Sequence, residues 1–218
     1  HGHNGGAPLV VRPVCFEKIR RFFALKGAYM IMERVWGESL ARRHDYTLDE
    51  YLSIFQKVCD ALRSIHESGL VHADVKADNI IVGQQLSVKL IDLGFAAEEG
   101  TELSGIKGTV GYLAPEQAGG SLGRETDVFN LGAAMYWALT GDQLPNLQGK
   151  GGTQMGLGHS HEIDPVPPWK LNPEVPQDLS HLVMRCCSHS PDQRPALKQL
   201  RNSLHNIALC RELKRSDQ

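Results

Sequence analysis

The longest regular pattern in the chain runs from position 48 to 65, where Leu48, Leu52, Phe55, Val58, Leu62 and Ile65 recur at three- and four-residue steps. Apolar residues at that period share one face of an α-helix. Thr47-Leu48-Asp49-Glu50 ahead of it has the capping-box pattern, with Thr47 as N-cap, and Gly69 supplies the C′ glycine where the helix stops. Short apolar runs at 80–82 and 87–91, joined by Gly83-Gln84-Gln85, predict a hairpin. Upstream, 9–16 and 28–32 read as two strands flanking a charged turn at 17–21. The stretch 128–140 is apolar on most sides and predicts a buried helix. Two surface helices are expected at 179–187 and 196–209, on either side of Pro191-Asp192-Gln193-Arg194-Pro195. The Gly-rich start, 1–8, reads as a loop, 96–107 as a mobile loop, and 141–168 as irregular; no internal repeat is present.

Composition adds bounds. A chain of 218 residues, 41% hydrophobic and 22% charged, is enough for one soluble domain with a substantial core. A net charge of −2 leaves no basic footprint for nucleic acid. Five cysteines, an odd number without metal-like pairing, fit a reducing cytoplasmic compartment, and the adjacent Cys186 and Cys187 read as structural thiols. No apolar run is long enough to span a membrane and no signal peptide is visible. His1 and His3 read as part of a disordered or tag-like end, and His159 and His161 lack an accompanying Cys or carboxylate set, which favours loop residues over metal ligands. The chain starts with His1 rather than Met and reads as a piece of something longer.

Chemistry concentrates in LVHADVKADNIIVGQQLSVKLIDLG, 70–94. Asp74 is a candidate base, Lys76 a point positive charge, and Asn79 and Asp92 are hard oxygen ligands of the kind Mg²⁺ takes. A base, a cation and two metal ligands gathered by one turn suit phosphoryl transfer, which consists mostly of positioning and charge neutralisation.

VHADVKADN followed by IDLG resembles the catalytic and metal-binding loops of protein kinases, whose pattern is H-R-D-x-K-x-x-N and then D-F-G. GTVGYLAPEQ resembles the end of a kinase activation segment, TDVFNLG the start of the central buried helix, and PDQRP the late Arg element. The resemblance implies an α+β, protein-kinase-like fold: a remnant of the N-lobe sheet with the hinge at 1–36, a mainly helical C-lobe at 37–210 and a polar tail at 211–218. It implies ATP and Mg²⁺ as cofactors and a protein with a Ser or Thr hydroxyl as substrate. Asp74 would be the catalytic base and Lys76 would steady the transferred phosphate. Asn79 and Asp92 would hold the metal. The nucleotide would meet Met32 at the gatekeeper position, Glu33 and the Val35 backbone in the hinge, Ser39 near the ribose and Ile81 beneath the adenine. His72 would pack behind the loop, and Asp127 would cap its backbone. Glu116 and Arg194 would form a buried ion pair. Thr109, hydrogen-bonded near Asp74 and Lys76, points to serine/threonine rather than tyrosine substrates.

Three departures from that pattern carry expectations. Leu93 replaces the Phe of D-F-G and keeps the apolar packing. Ala73 replaces the Arg that usually receives a loop phosphate, so phosphorylation of Thr101 or Ser104 is not expected to be required. The chain holds no G-x-G-x-x-G loop and no strand Lys of the V-A-I-K type, so it is expected to be inactive on its own. Two other readings remain: a pseudokinase scaffold that uses the lobe for protein contacts, and a small-molecule phosphotransferase of the aminoglycoside-kinase type. Lys76 and the GTVGYLAPEQ segment count against the latter.

Overall fold

The computed structural model describes residues 9–21, 24–43, 45–102, 105, 108–145 and 165–216. His1, His3, Ser104, His159 and His161 lie outside the described residues. Helix α1 (Leu48–Glu67) starts where the sequence places it: the Glu50 N–H donates to Thr47 Oγ1 at 3.3 Å, and Glu50 Oε2 accepts the Thr47 N–H at 2.7 Å. These two bonds satisfy donors that a helix end otherwise leaves orphaned. The helix ends at Ser68, with Gly69 left-handed behind it. Its buried face carries Leu52, Ile54, Phe55, Val58 and Leu62.

Strands β1 (Pro13–Arg21) and β2 (Ala24–Met32) form an antiparallel ribbon. The charged stretch 17–21, expected as a turn, is therefore strand: Glu17 pairs with Tyr29 and Lys18 with Ala28. Glu17 and Lys18, which point to opposite faces of the ribbon, are both exposed, so their charges do not oppose the pairing. The ribbon exposes Val14, Phe16, Met30, Ile31 and Met32.

Strands β3 (Glu38–Ser39), β5 (Ile80–Val82) and β6 (Val88–Leu90) form a second antiparallel sheet, and β4 (Leu70–Val71) pairs with β7 (Ala97–Glu98). The first part of the expected mobile loop at 96–107 is thus tied into a sheet. Val71, Ala73 and Leu122 make a small apolar cluster there, with Ala97 against it.

Helix α2 (Pro115–Ala118) is one turn, and α3 (Arg124–Thr140) is the buried central helix. Helices α4 (Pro168–Leu171), α5 (Gln177–Cys186) and α6 (Leu197–Ser216) follow. The last two are more than surface helices. α5 buries Leu179, Leu182, Val183 and Cys186, while α6 buries Leu197, Leu200, Leu204 and Ile207. α6 also continues through Ser216, where a polar tail was expected from 211, and Arg211 and Arg215 both pair with Asp49 at the start of α1. α3 and α5 approach so closely that a Cβ on Gly132 would lie 2.6 Å from Cys186 Cβ and 2.9 Å from Cys187 Sγ. Burial pushes the Cys187 thiol up to about 12 and Cys186 well above its ordinary value, which suits inert structural thiols. Among the described residues, no helix is long and apolar enough to cross a membrane.

Candidate active site

The loop between β4 and β5 is shaped by Asp127, a fully buried carboxylate in the first turn of α3. Its Oδ1 accepts the Ala73 N–H at 2.8 Å, and its Oδ2 accepts the His72 N–H at 2.9 Å and lies 2.8 Å from His66 Nε2 in the last turn of α1. A carboxylate bonded on all these sides fixes the backbone direction entering Asp74. His72 fixes it from within. Its Nδ1 accepts the Asp74 N–H at 3.3 Å, so its Nε2 carries the hydrogen and donates to Ile91 O at 3.2 Å. His72 therefore packs fully buried behind the loop and links it to the chain leading into Asp92.

The expected cluster assembles around Asp74, which is 2% exposed and so nearly sealed from bulk water. Thr109 Oγ1 donates to Asp74 Oδ1 at 2.7 Å, and Lys76 Nζ lies 3.0 Å from Asp74 Oδ2 and donates to Thr109 Oγ1 at 2.8 Å. These three residues close a triangle. Asn79 Nδ2 donates to the Asp74 carbonyl at 2.9 Å and to Oδ2 at 3.3 Å. That bonding leaves Oδ1 as the acceptor end of the Asn79 amide. The Ile91 N–H donates to Asn79 O at 2.9 Å, so β5 and β6 set the residue before Asp92 opposite Asn79. Asp92 is exposed, in a left-handed backbone conformation (φ 64°), with Oδ1 accepting the Gly94 N–H at 3.1 Å.

The other residues expected to meet a nucleotide lie on β2, β3 and β5 and just after β2. Ser39, Ile81 and Lys89 are direct cross-strand neighbours on β3, β5 and β6, so they share one face of that sheet. Met32 ends β2 and is 44% exposed, which leaves it open for contact. The Glu33 side chain is bonded to Lys89 and Arg12: Lys89 donates to Oε1, the Arg12 N–H reaches Oε1 at 3.0 Å, and Arg12 NH2 reaches Oε2 at 3.2 Å. The Lys89 ammonium and then the Arg12 N–H hold the Glu33 carboxyl down at about 2. Val35 is half-buried two residues on.

The supporting pair is also formed. Arg194 and Glu116 meet through two bonds, NH1 to Oε1 at 2.6 Å and NH2 to Oε2 at 2.9 Å. Thr126 Oγ1 adds a bond to Glu116 Oε1 at 3.0 Å.

Sequence reasoning missed Gln117 and Asn130. Gln117 is fully buried; its Nε2 donates to Ala73 O at 2.6 Å, and its Oε1 accepts the Ala114 N–H at 3.1 Å. Asn130 Nδ2 donates to Gln117 Oε1 at 3.1 Å and to Tyr112 O at 2.6 Å. The available signal was local: Gln at the third position of a turn opened by Pro115 is half of a capping box, reaching back to the N-cap amide.

A family model for the protein kinase domain matches residues 16–205. The chain belongs to the protein kinase family. Kinase relatives among curated proteins include the serine/threonine-protein kinase PknB of Mycobacterium tuberculosis, 32% identical over 177 residues covering 76% of this chain. PknB of Mycolicibacterium smegmatis is 35% identical over 150 residues, 66% of this chain. A probable serine/threonine-protein kinase of Clostridium perfringens is 30% identical over 175 residues, 76% of this chain. The matches cover 28%, 24% and 25% of those proteins, so the chain spans about a quarter of the length of the curated relatives it matches. The α+β fold, with small sheets against a mainly helical body, is that of the kinase family.

Proposed function

We propose that the protein is a serine/threonine protein kinase, transferring the γ-phosphoryl group of ATP to a protein hydroxyl, with 37–210 as its helical lobe and 1–36 as the end of its nucleotide-side sheet. The triangle of Asp74, Lys76 and Thr109 carries this reading. A carboxylate offers about four lone-pair directions, and Thr109, Lys76 and Asn79 take three of them, leaving one for an incoming hydroxyl. Asp74 accepts that hydroxyl's proton as the oxygen attacks phosphorus. Lys76, held by Asp74 and Thr109, sets a fixed positive charge beside the phosphoryl oxygens on which negative charge accumulates. Burial excludes water that would compete as acceptor.

The donor set suits Mg²⁺: one exposed carboxylate and one amide oxygen, since that ion keeps few protein ligands and shares its shell with phosphate and water. Asn79 and Asp92 would hold it, and when bound it neutralises charge on the phosphates. Ser39 and Ile81, with the backbone near Glu33 and Val35 and the Met32 side chain, would receive the nucleoside. The 218 residues hold no G-x-G-x-x-G loop and no strand Lys of the V-A-I-K type, and we expect this polypeptide on its own to be inactive.

The test uses the native gene product. Asp74→Asn should lower phosphoryl transfer to a protein substrate by roughly 10²- to 10⁴-fold, with the melting temperature little changed. Phosphoamino-acid analysis of the parent's product should show phosphoserine or phosphothreonine. Undiminished transfer by Asp74→Asn would remove Asp74 from the mechanism. Products on small hydroxylated molecules alone would move the protein to another class of phosphotransferase.

A further inference from the structure

Ala73 is a non-glycine residue in the left-handed region (φ 63°), immediately before Asp74. A backbone in that region is strained for any residue with a Cβ, and it persists only where its surroundings hold it. Both flanking peptides are held. The N–H is bound by Asp127 and the C=O by Gln117 Nε2, at 2.8 and 2.6 Å. Turning the peptide after Ala73 to release the strain would break the second bond and swing Asp74 away from Lys76 and Thr109.

Gln117 is in turn fixed from the other side. Its Oε1 takes the Ala114 N–H and Asn130 Nδ2, which forces Nε2 toward Ala73. Gly108 packs against the same amide: a Cβ there would lie 3.1 Å from Gln117 Nε2 and 2.6 Å from Leu113 Cδ1, and the positive φ of 130° disfavours any side chain. One neutral amide therefore joins the catalytic loop, the segment 108–118 and the central helix α3. The Ala73 side chain adds no charge, since it sits with Val71 and Leu122 in an apolar cluster.

We propose that Gln117 is a positioning residue for Asp74, coupling the order of segment 108–118 to the catalytic loop through a buried neutral amide, with no loop phosphate or ion pair needed for that coupling. The proposal rests on the kinase reading for its kinetic consequence, though not for its structural one.

Two substitutions in the native gene product test it. Gln117→Glu keeps the shape and the acceptor but sets a carboxylate against the Ala73 carbonyl; Gln117→Met keeps the bulk and removes both roles. Each should lower kcat by roughly 10- to 100-fold, as small misplacements of a reacting group do, with KM for ATP and for the protein substrate within about threefold. Normalised to the parent at each pH, the Glu variant should regain activity as the pH is lowered. Its protonated carboxyl can then donate to Ala73 O, whereas the Met variant should show no recovery. Hydrogen exchange should quicken at residues 72–76 in both variants while the amides of α1 keep their protection. Should Gln117→Met retain the parental kcat and exchange, the proposal is overturned. Should the parent transfer no phosphate at all, the kinase reading fails, and the exchange measurement alone decides the role of Gln117.

Discussion

Arg194 spends every N–H it has. Nε donates to Ser188 O at 2.9 Å, NH1 to Glu116 and to Glu125 O, and NH2 to Glu116 and to His189 O. The side chain has no exposure, and its guanidinium lies 4.9 Å from the centroid of the Phe129 ring. Removing the partner leaves this cation buried without its anion, so Glu116→Gln should cost about 3 kcal/mol or more in denaturant unfolding. Burial pushes the Glu116 carboxyl up, but the hydrogen bonds and charge of Arg194 outweigh it, and the net pKa is lowered from 4.5. The unfolded chain therefore binds the proton first as the pH falls. The contribution of the pair is full above about pH 4.5 and is lost as the pH drops through the depressed folded value. Acid unfolding curves should be shallower for Glu116→Gln than for the parent across that window.

Asp74, Lys76 and Asn79 were singled out in the sequence by their types and spacing and Thr109 by its resemblance to a kinase motif, and the structure joins all four by hydrogen bonds. The cap made by Gln117 had a local signal, but its bond to the loop did not: the Ala73 carbonyl lies 44 positions away and is a backbone atom that any residue would supply.

Helix α3 shows how little room the elements leave each other. Gly132 faces Cys186 and Cys187 at distances that admit no Cβ. Gly132→Ala must push α5 outward or distort it, and overpacking of this kind costs about 1–3 kcal/mol. Thermal melts should show a fall of roughly 2–4 °C per kcal/mol for a chain of this size. An unchanged melting temperature would mean that the two helices can slide apart freely. The periodicity of α1 and its cap were legible because both signals are local, and the structure reproduces them. The extents of β1 and α6 were not. The charges at 17–21 resemble a turn until their pairing with β2 is seen, and the end of α6 is stabilised by Arg211 and Arg215 on Asp49, a contact 162 or more positions apart.

Across the whole molecule the apolar burden is uneven. The helical body buries a continuous cluster from Leu40 to Ile207, whereas the β1–β2 ribbon leaves Val14, Phe16 and Met30 at 67%, 56% and 51% exposure. Phe16 and Met30 are cross-strand partners, so they form one apolar surface rather than scattered residues. The 218-residue polypeptide should enhance the fluorescence of an apolar dye in its folded state, and a Phe16→Lys/Met30→Glu double variant should lose most of that enhancement without losing helical circular dichroism. Equal signal from the two would place the exposed apolar surface elsewhere.

Asp127 has a consequence for how the site comes into being. Its three partners lie 54 to 61 positions before it, on the last turn of α1 and the loop that follows. Without Asp127, the local bonds of His72 and Asn79 do not suffice to give the loop its shape. It must wait until two helices distant in sequence have met, so the reactive geometry arrives late in folding and belongs to the cooperative unit as a whole.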